Sequence, residues 1–261
     1  MEEVEVPKVL KQFAQSLISK QRPYIAVKAT PLDSELDKDP LDVKQSKFLG
    51  KPFIPVGIEY PKDKNGEPLV LIAQINFSEL PQLEGFPDEG ILQLYFSSTE
   101  WWGMSEGERI LYISGDDLKK DHNKNLPPIN QKLYEDLPIW KIHKLRFEKA
   151  IDTGNSEDCH FSFDFGGKDY WEFEEGLTED DKKSFSDYFT SCGHKIGGYA
   201  YFTQGDPRDY SKNQRDDIQL LQIDIDDEIM FGDSGIGHIF ISPENFANRA
   251  FEKAYFYWDC C

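Results

Sequence analysis

Ala73, Ile75 and Phe77 are apolar, and the residues between and after them, Gln74, Asn76 and Ser78, are polar. Leu221, Ile223 and Ile225 alternate in the same way with Gln222, Asp224 and Asp226. A period of two sends successive side chains to opposite faces, so both stretches predict strands of an antiparallel sheet packed on one face. Apolar runs "ILQLYF" from Ile91, "ILYIS" from Ile110, "IGHIFI" from Ile236 and "AYFYW" from Ala254 predict further strands. Helical spacing is confined to three places. Pro7 stands at a first-turn position before Val9, Leu10, Phe13 and Leu17, an amphipathic face that ends before Pro23. Thr178 is placed to cap a helix that has acidic residues in its first turn and stops at Gly193. Ser242 caps a third, with Pro243 at its first position.

The strand pattern occurs twice. "KFLGKPFIP" from Lys47 lies over "KIGGYAYFT" from Lys195, a separation of 195 − 47 = 148. The same separation pairs Gln74 with Gln222, Ile75 with Ile223 and Asn76 with Asp224. Three residues are then lost and the match resumes at a separation of 145: "DEGILQLYFS" from Asp88 falls on "DSGIGHIFIS" from Asp233, with Gln93 opposite His238. Such internal repetition predicts two related units, at about 44–115 and 194–261. The polar, proline-punctuated connection "TPLDSELDKDPLDVKQ" reads as an exposed loop. No segment looks like a long linker. The expected fold is therefore α+β: a single compact domain over 1–261, mainly an antiparallel sheet built from two related repeats, with an N-terminal helix and a few short helices.

Charge narrows the partners. Lys and Arg number 29 against 48 Asp and Glu, a formal net charge of −19. This field repels nucleic acid and anionic membranes and draws in basic proteins or cations. It serves solubility as well. No apolar run approaches the roughly 18 residues needed to span a bilayer. The start "MEEVEVPKVL" has no basic segment followed by an apolar one. The expected location is cytoplasmic. The four cysteines, Cys159, Cys192, Cys260 and Cys261, do not suit a disulfide framework. Cys159-His160 and Cys192-Gly193-His194 raise zinc, but no C-x-x-C knuckle answers them, and a small buried hydrophobe is the simpler role. No metal and no cofactor is expected.

Several constellations compete for chemistry. Gly232-Asp233-Ser234-Gly235 spells the tetrapeptide around the nucleophile of chymotrypsin-like proteases. The setting of the histidine base is missing, and the matching place in the first unit is Asp88-Glu89-Gly90. A turn closed by Asp, with Gly supplying positive φ, accounts for what both copies keep. Asp224 and Asp226 would share one strand face with Asp227, Glu228 and Asp233 nearby, either as a cation site or as a solvated acidic face. Gln74, Gln222 and Asp224 are the candidate groove residues. Two strand amides could converge between the units, or each could bond neighbouring backbone and fix register. His238 reads as a lone strand histidine. Trp101, Trp102, Tyr170 and Trp171 are candidates for a partner-binding patch or for core filling. No Walker loop, G-x-G-x-x-G or H-E-x-x-H is present, and no catalytic residue is assigned.

The segments "QSKFLGKPFIP", "PLVLIAQINFSELP", "FPDEGILQLYF", "LLQIDID" and "FGDSGIGHIFISPENF" resemble the YwqG-like family of bacterial proteins, from about Lys44 to the C-terminus. The resemblance implies a mixed α and β fold, a bacterial cytosolic setting and no assigned catalytic residues. Some members lie near contact-dependent toxin systems, a context that suits an acidic inhibitor. Two expectations follow. The first is a non-enzymatic interaction module that shows its acidic surface to a basic protein, as an immunity protein does. The second is a small-ligand or cation-binding protein, or an enzyme, using a groove between the repeats.

Overall fold

In the computed structural model, which describes residues 4–98, 107–128, 134–211 and 213–260, the alternating segments become strands of one sheet. The strands are β1 (Arg22–Pro31), β2 (Lys47–Phe48), β3 (Val70–Asn76), β4 (Ile91–Phe96), β5 (Glu108–Ile113), β6 (His143–Asp152), β7 (Lys195–Gly197), β8 (Ile218–Ile223), β9 (Ile236–Ile241) and β10 (Tyr255–Asp259). Their order is β10-β9-β8-β7-β1-β6-β2-β3-β4-β5, and every pairing is antiparallel. The fold is α+β, as the pattern predicts.

The centre of the sheet is not what the repeat pattern suggests. β1 and β6 pair along their full length, Arg22 opposite Asp152 through Pro31 opposite His143. β1 then pairs with β7, and β6 with β2. On one side of this central pair run β2, β3, β4 and β5; on the other run β7, β8, β9 and β10. Each wing also carries a bulge. The register slips between Leu71 and Ala73 in β3 and between Gln219 and Leu221 in β8, so the extra residues, Ile72 and Leu220, are 148 apart. An extra residue bends its strand and increases the local twist. The wings curl together: Phe96 of β4 meets Phe256 near the other edge with centroids 4.8 Å apart, and Tyr112 of β5 meets Phe251 at 4.8 Å. One core therefore serves both wings.

The expectation of a sheet packed on one face is corrected. β3, β4 and β9 are buried at every residue, because loops cover the face turned away from the shared core. Ile54 and Tyr95, for example, pack in a separate apolar cluster there. The polar side chains that alternation places on that face are consequently inside the protein.

The helices are shorter than their patterns predict. The N-terminal segment is a 3₁₀ turn, Lys8–Phe13, running into α1 (Ala14–Ile18). α2 (Tyr170–Glu175) is unanticipated, although Asp169 and Glu172 form a capping box at its start. α3 (Glu179–Tyr188) is capped by Thr178, whose side chain accepts from the Asp181 N–H, but it stops short of Gly193. α4 (Pro243–Ala247) is capped by Ser242. α1, α2 and α3 enclose a second core of rings, in which Phe165 meets Phe13 at 5.6 Å, Phe173 at 4.8 Å and Phe185 at 5.6 Å.

The turn at Phe231–Gly235 also differs from expectation. Gly90 does adopt positive φ (103°), but its counterpart Gly235 does not; Gly232 (59°) and Ser234 (61°) do. Gly235 is needed for another reason: a Cβ there would fall on the carbonyl oxygens of Phe231 and Asp259. Neither the Asp88 nor the Asp233 carboxylate closes its turn; the bond is from the Gly235 N–H to the Phe231 carbonyl at 2.8 Å.

Candidate functional site

Polar residues at corresponding places in the two wings of the sheet sit beneath the surface. Lys47 and Lys195 are both buried, and each pairs with a carboxylate: Lys47 Nζ with Asp39 Oδ2 at 2.8 Å, Lys195 Nζ with Asp152 Oδ2 at 2.7 Å. Asp39 Oδ2 also accepts from the Lys51 N–H, and Asp152 Oδ2 from the Tyr199 N–H, positions 148 apart. Each Oδ1 accepts from the N–H two residues on, that of Leu41 or Gly154. Burial pulls both lysines below the ordinary amine range, opposed by their carboxylate partners. Gly50 (φ 86°) and Gly198 (φ 74°) turn the chain against these carboxylates, and a Cβ at either would strike the Oδ2 of Asp39 or Asp152.

Gln74 and Gln222 are wholly buried and make the same three bonds to main chain. Gln74 Oε1 accepts from Phe53 N–H at 2.9 Å, and its Nε2 donates to the carbonyls of Val43 and Gln45. Gln222 Oε1 accepts from Tyr201 N–H at 3.0 Å, and its Nε2 donates to Ser191 and Gly193. Every partner is displaced by 148. The amides thus each staple a loop to a strand of their own wing. β8 ends at Ile223, so Asp224 and Asp226 do not share a strand face. Asp224 is buried: its Oδ2 accepts from Gly193 N–H, and its own N–H donates to His194 Nδ1 at 2.9 Å. Asp226 accepts from the Glu228 N–H and lies 3.3 Å from His194 Nε2.

Frames and loops differ in one polar detail. Gln93 donates to the Phe53 carbonyl and to Gln74 Oε1, and accepts from Tyr95 Oη. His238, opposite Gln222 in the register, has Nδ1 3.1 Å from Gln219 Oε1. Its Nε2 is buried without a partner, 4.0 Å from the equally unpartnered Oδ1 of Asp259. Burial, then Arg208 and Lys195, pushes the imidazole well below its usual range.

The Asp158, Cys159 and His160 donors lie within 4.8 Å of one another. They are poorly suited to a metal because they are engaged elsewhere. Asp158 Oδ2 accepts from Arg208 Nη2 at 3.0 Å and from Ala200 N–H at 2.6 Å, and burial pushes the Cys159 thiol up to about 12. Arg208 is itself buried and forked onto Asp206, an arrangement that ties three loops together. Cys159, Cys192 and Cys260 are free.

A cleft of about 390 Å³ opens to solvent between α2, the end of α3 and the segments at Glu157 and Tyr201. Tyr170, Trp171 and Tyr201 give it rings, and Glu157 and Glu174 give it charge; no Lys, Arg or His lines it. Trp171 is 55% exposed, whereas its neighbour Tyr170 leans into the ring core, 4.7 Å from Phe185. The candidate aromatic patch therefore divides between surface and core, and Trp101 and Trp102 lie outside the described residues. Both glutamates line the cleft with Tyr170, whose phenol is raised first by burial, then by Glu174 and Glu157. Neither glutamate has an ion-pair partner among the described residues. Gln222 and Asp224 do not line the cleft; they hold the Ser191–Gly193 wall behind it, which contributes Cys192. Gln74 is in the other wing.

The profile of a family described as "Domain of unknown function (DUF1963)" matches residues 46–260. The chain belongs to the DUF1963 family. This is the YwqG-like family that the sequence resembles, and the match runs from the residue before β2 almost to the end of the chain. A search of the curated proteins gives no match. The DUF1963 assignment supplies no functional residues, so the site above stands on its geometry. No described helix is long and apolar enough to cross a membrane.

Proposed function

We propose that this DUF1963 protein is a non-enzymatic, acidic protein-interaction module of the bacterial cytoplasm that receives a basic side chain of a protein partner in the Trp171 cleft. The observation that carries the reading is the lining: exposed aromatic surface beside two carboxylates that have no ion pair among the described residues, with no Lys, Arg or His in the walls. A cation over an aromatic face is attracted by the ring quadrupole by about 0.5–2 kcal/mol, and a net charge of −19 steers basic partners toward it. An inhibitor-like role follows from the same chemistry. Capture from native lysate at low and high salt, followed by reconstitution with the purified candidate, tests this. A basic partner that is lost at high salt and lost with Trp171→Ala supports the reading; a partner that binds the variant equally well rejects it.

The matched frames support a further proposal about the fold, that the sheet is two copies of one five-strand unit. In this scheme β1 and β6 are equivalent and each unit lends its first strand to the other. A small-ligand reading also has an observation behind it. A cleft of about 440 Å³ lies between Leu83, Glu84 and Phe86 and the wing at Gly197, Gly198 and Gln219, with Arg22 and His160 among its walls. A thermal-shift hit blunted by Arg22→Gln, in the absence of any protein partner, would favour that reading.

A further inference from the structure

We infer that the Trp171 cleft selects arginine over lysine; this rests on the reading of the cleft as a receptor for a basic side chain. The walls present flat rings and acceptors together. Trp171 stands against Tyr170 at 5.0 Å with the rings inclined by 73°, so the two rings form an angled wall rather than a stack. More than half of Trp171 is open to solvent. Glu157 and Glu174 line the same cleft from different segments, one from the loop after β6 and the other from α2. A guanidinium is planar and weakly hydrated, with donors spread around its edge. It can lie on a ring and still reach two separate carboxylates.

An ammonium is compact and strongly hydrated. On entering a cleft walled by rings it gives up more solvation, and its three donors radiate from a single point, whereas a guanidinium spreads five along a flat edge that can also lie on a ring. The backbone that carries Glu157 is held in place: its N–H donates to Asn155 Oδ1 at 2.8 Å, and Asn155 Nδ2 donates to the Ala200 carbonyl at 2.9 Å. The glutamate loop is therefore fixed to the floor of the site before any ligand arrives. Such preorganisation lowers the cost of binding.

The test uses Nα-acetyl-L-arginine amide and Nα-acetyl-L-lysine amide, titrated into the full chain and followed by the backbone amide peaks of Thr190, Cys192 and Thr203. The arginine probe should saturate these shifts at roughly tenfold lower concentration than the lysine probe. Trp171→Ala, and separately the pair Glu157→Gln with Glu174→Gln, should each weaken arginine binding about tenfold while the rest of the spectrum stays unchanged. Equal saturation, tighter lysine binding, or unchanged arginine affinity in either variant overturns the inference. Absence of shifts with both probes overturns it too. The partner reading fails separately, through capture that is indifferent to Trp171.

Discussion

The two wings keep the same hidden frame and dress it differently. In both, a buried lysine meets a carboxylate and a glutamine staples a loop, at positions 148 apart. The first wing completes its polar network with Gln93, whose amide is bonded on both sides. The second places His238 there, with an unpartnered nitrogen, and adds the ring core beneath α2 and α3. The buried frame is what holds a strand and loop in register. The outer dressing is free to differ, and the candidate site lies in the wing with the additional layer.

The comparison can be broken most severely at the turns. Gly235→Val should abolish folding, since its side chain would need space held by two backbone carbonyls; Ser234→Ala should leave thermal unfolding within about 0.5 kcal/mol of the parent. Circular dichroism melts decide both. Removing a lysine from either frame comes next. Lys195→Met and Lys47→Met should each cost about 3–5 kcal/mol in chemical denaturation, because a buried carboxylate is left without its cation. The Lys47 variant should suffer more, since Asp152 keeps the Ser191 Oγ donor when Lys195 is gone, whereas Asp39 keeps only backbone donors. Near-zero loss in either would show that the frames are not equivalent.

Gln222→Leu and Gln74→Leu should each cost about 2–4 kcal/mol through the main-chain groups they strand. Only Gln222→Leu should also weaken binding of a basic probe, by loosening the wall of the cleft. If both variants stay stable and only binding is lost, the amides are ligand groups and not staples. The smallest effect is in acid. Burial lowers the folded-state pKa of His143 and His238, so below about pH 6.5 the unfolded chain binds protons that these rings refuse. Stability should therefore fall from pH 6.5 to 5, by at most about 1.4 kcal/mol per pH unit per histidine. Asp217 and Asp259, raised chiefly by burial, act in the opposite sense as they take up protons. His238→Gln, which copies the first wing, should flatten the slope; an unchanged slope would assign it to His143 or other groups.

The outer strands were legible because their alternation and their shared spacing are local properties of the chain. β1 and β6 leave a weaker trace: in β1 Ile25, Val27 and Ala29 are set against Lys28 and Thr30, but Ala26 breaks the alternation. Nothing in the two copies drew attention to them, because they precede the matched segments at unequal distances. The frame carboxylates were hidden for the same reason: Asp39 and Asp152 are 113 apart, not 148, and only folding brings them to the same place. Burial of Gln74 and Asp224 depended on loops covering the second face, which no period of two reveals. Trp171 is an exposed aromatic candidate with Glu174 one helical turn away in α2, but Glu157 comes from the loop after β6 and could not be brought to it by spacing.

The central pair has a consequence for how the chain is made. β1 emerges first from the ribosome, yet both of its neighbours, β6 and β7, lie more than a hundred residues further on. At about 5–20 residues per second its second edge waits roughly 10–30 s for a partner. During that interval a nascent chain carries a ten-residue strand with open edges, the kind of segment that pairs with a neighbouring copy. The first wing cannot finish early either, because β2 needs β6 beside it. A molecule built this way completes the centre of its sheet only after β7 has been made, and a polysome crowded with unfinished copies is where strand exchange between chains would begin.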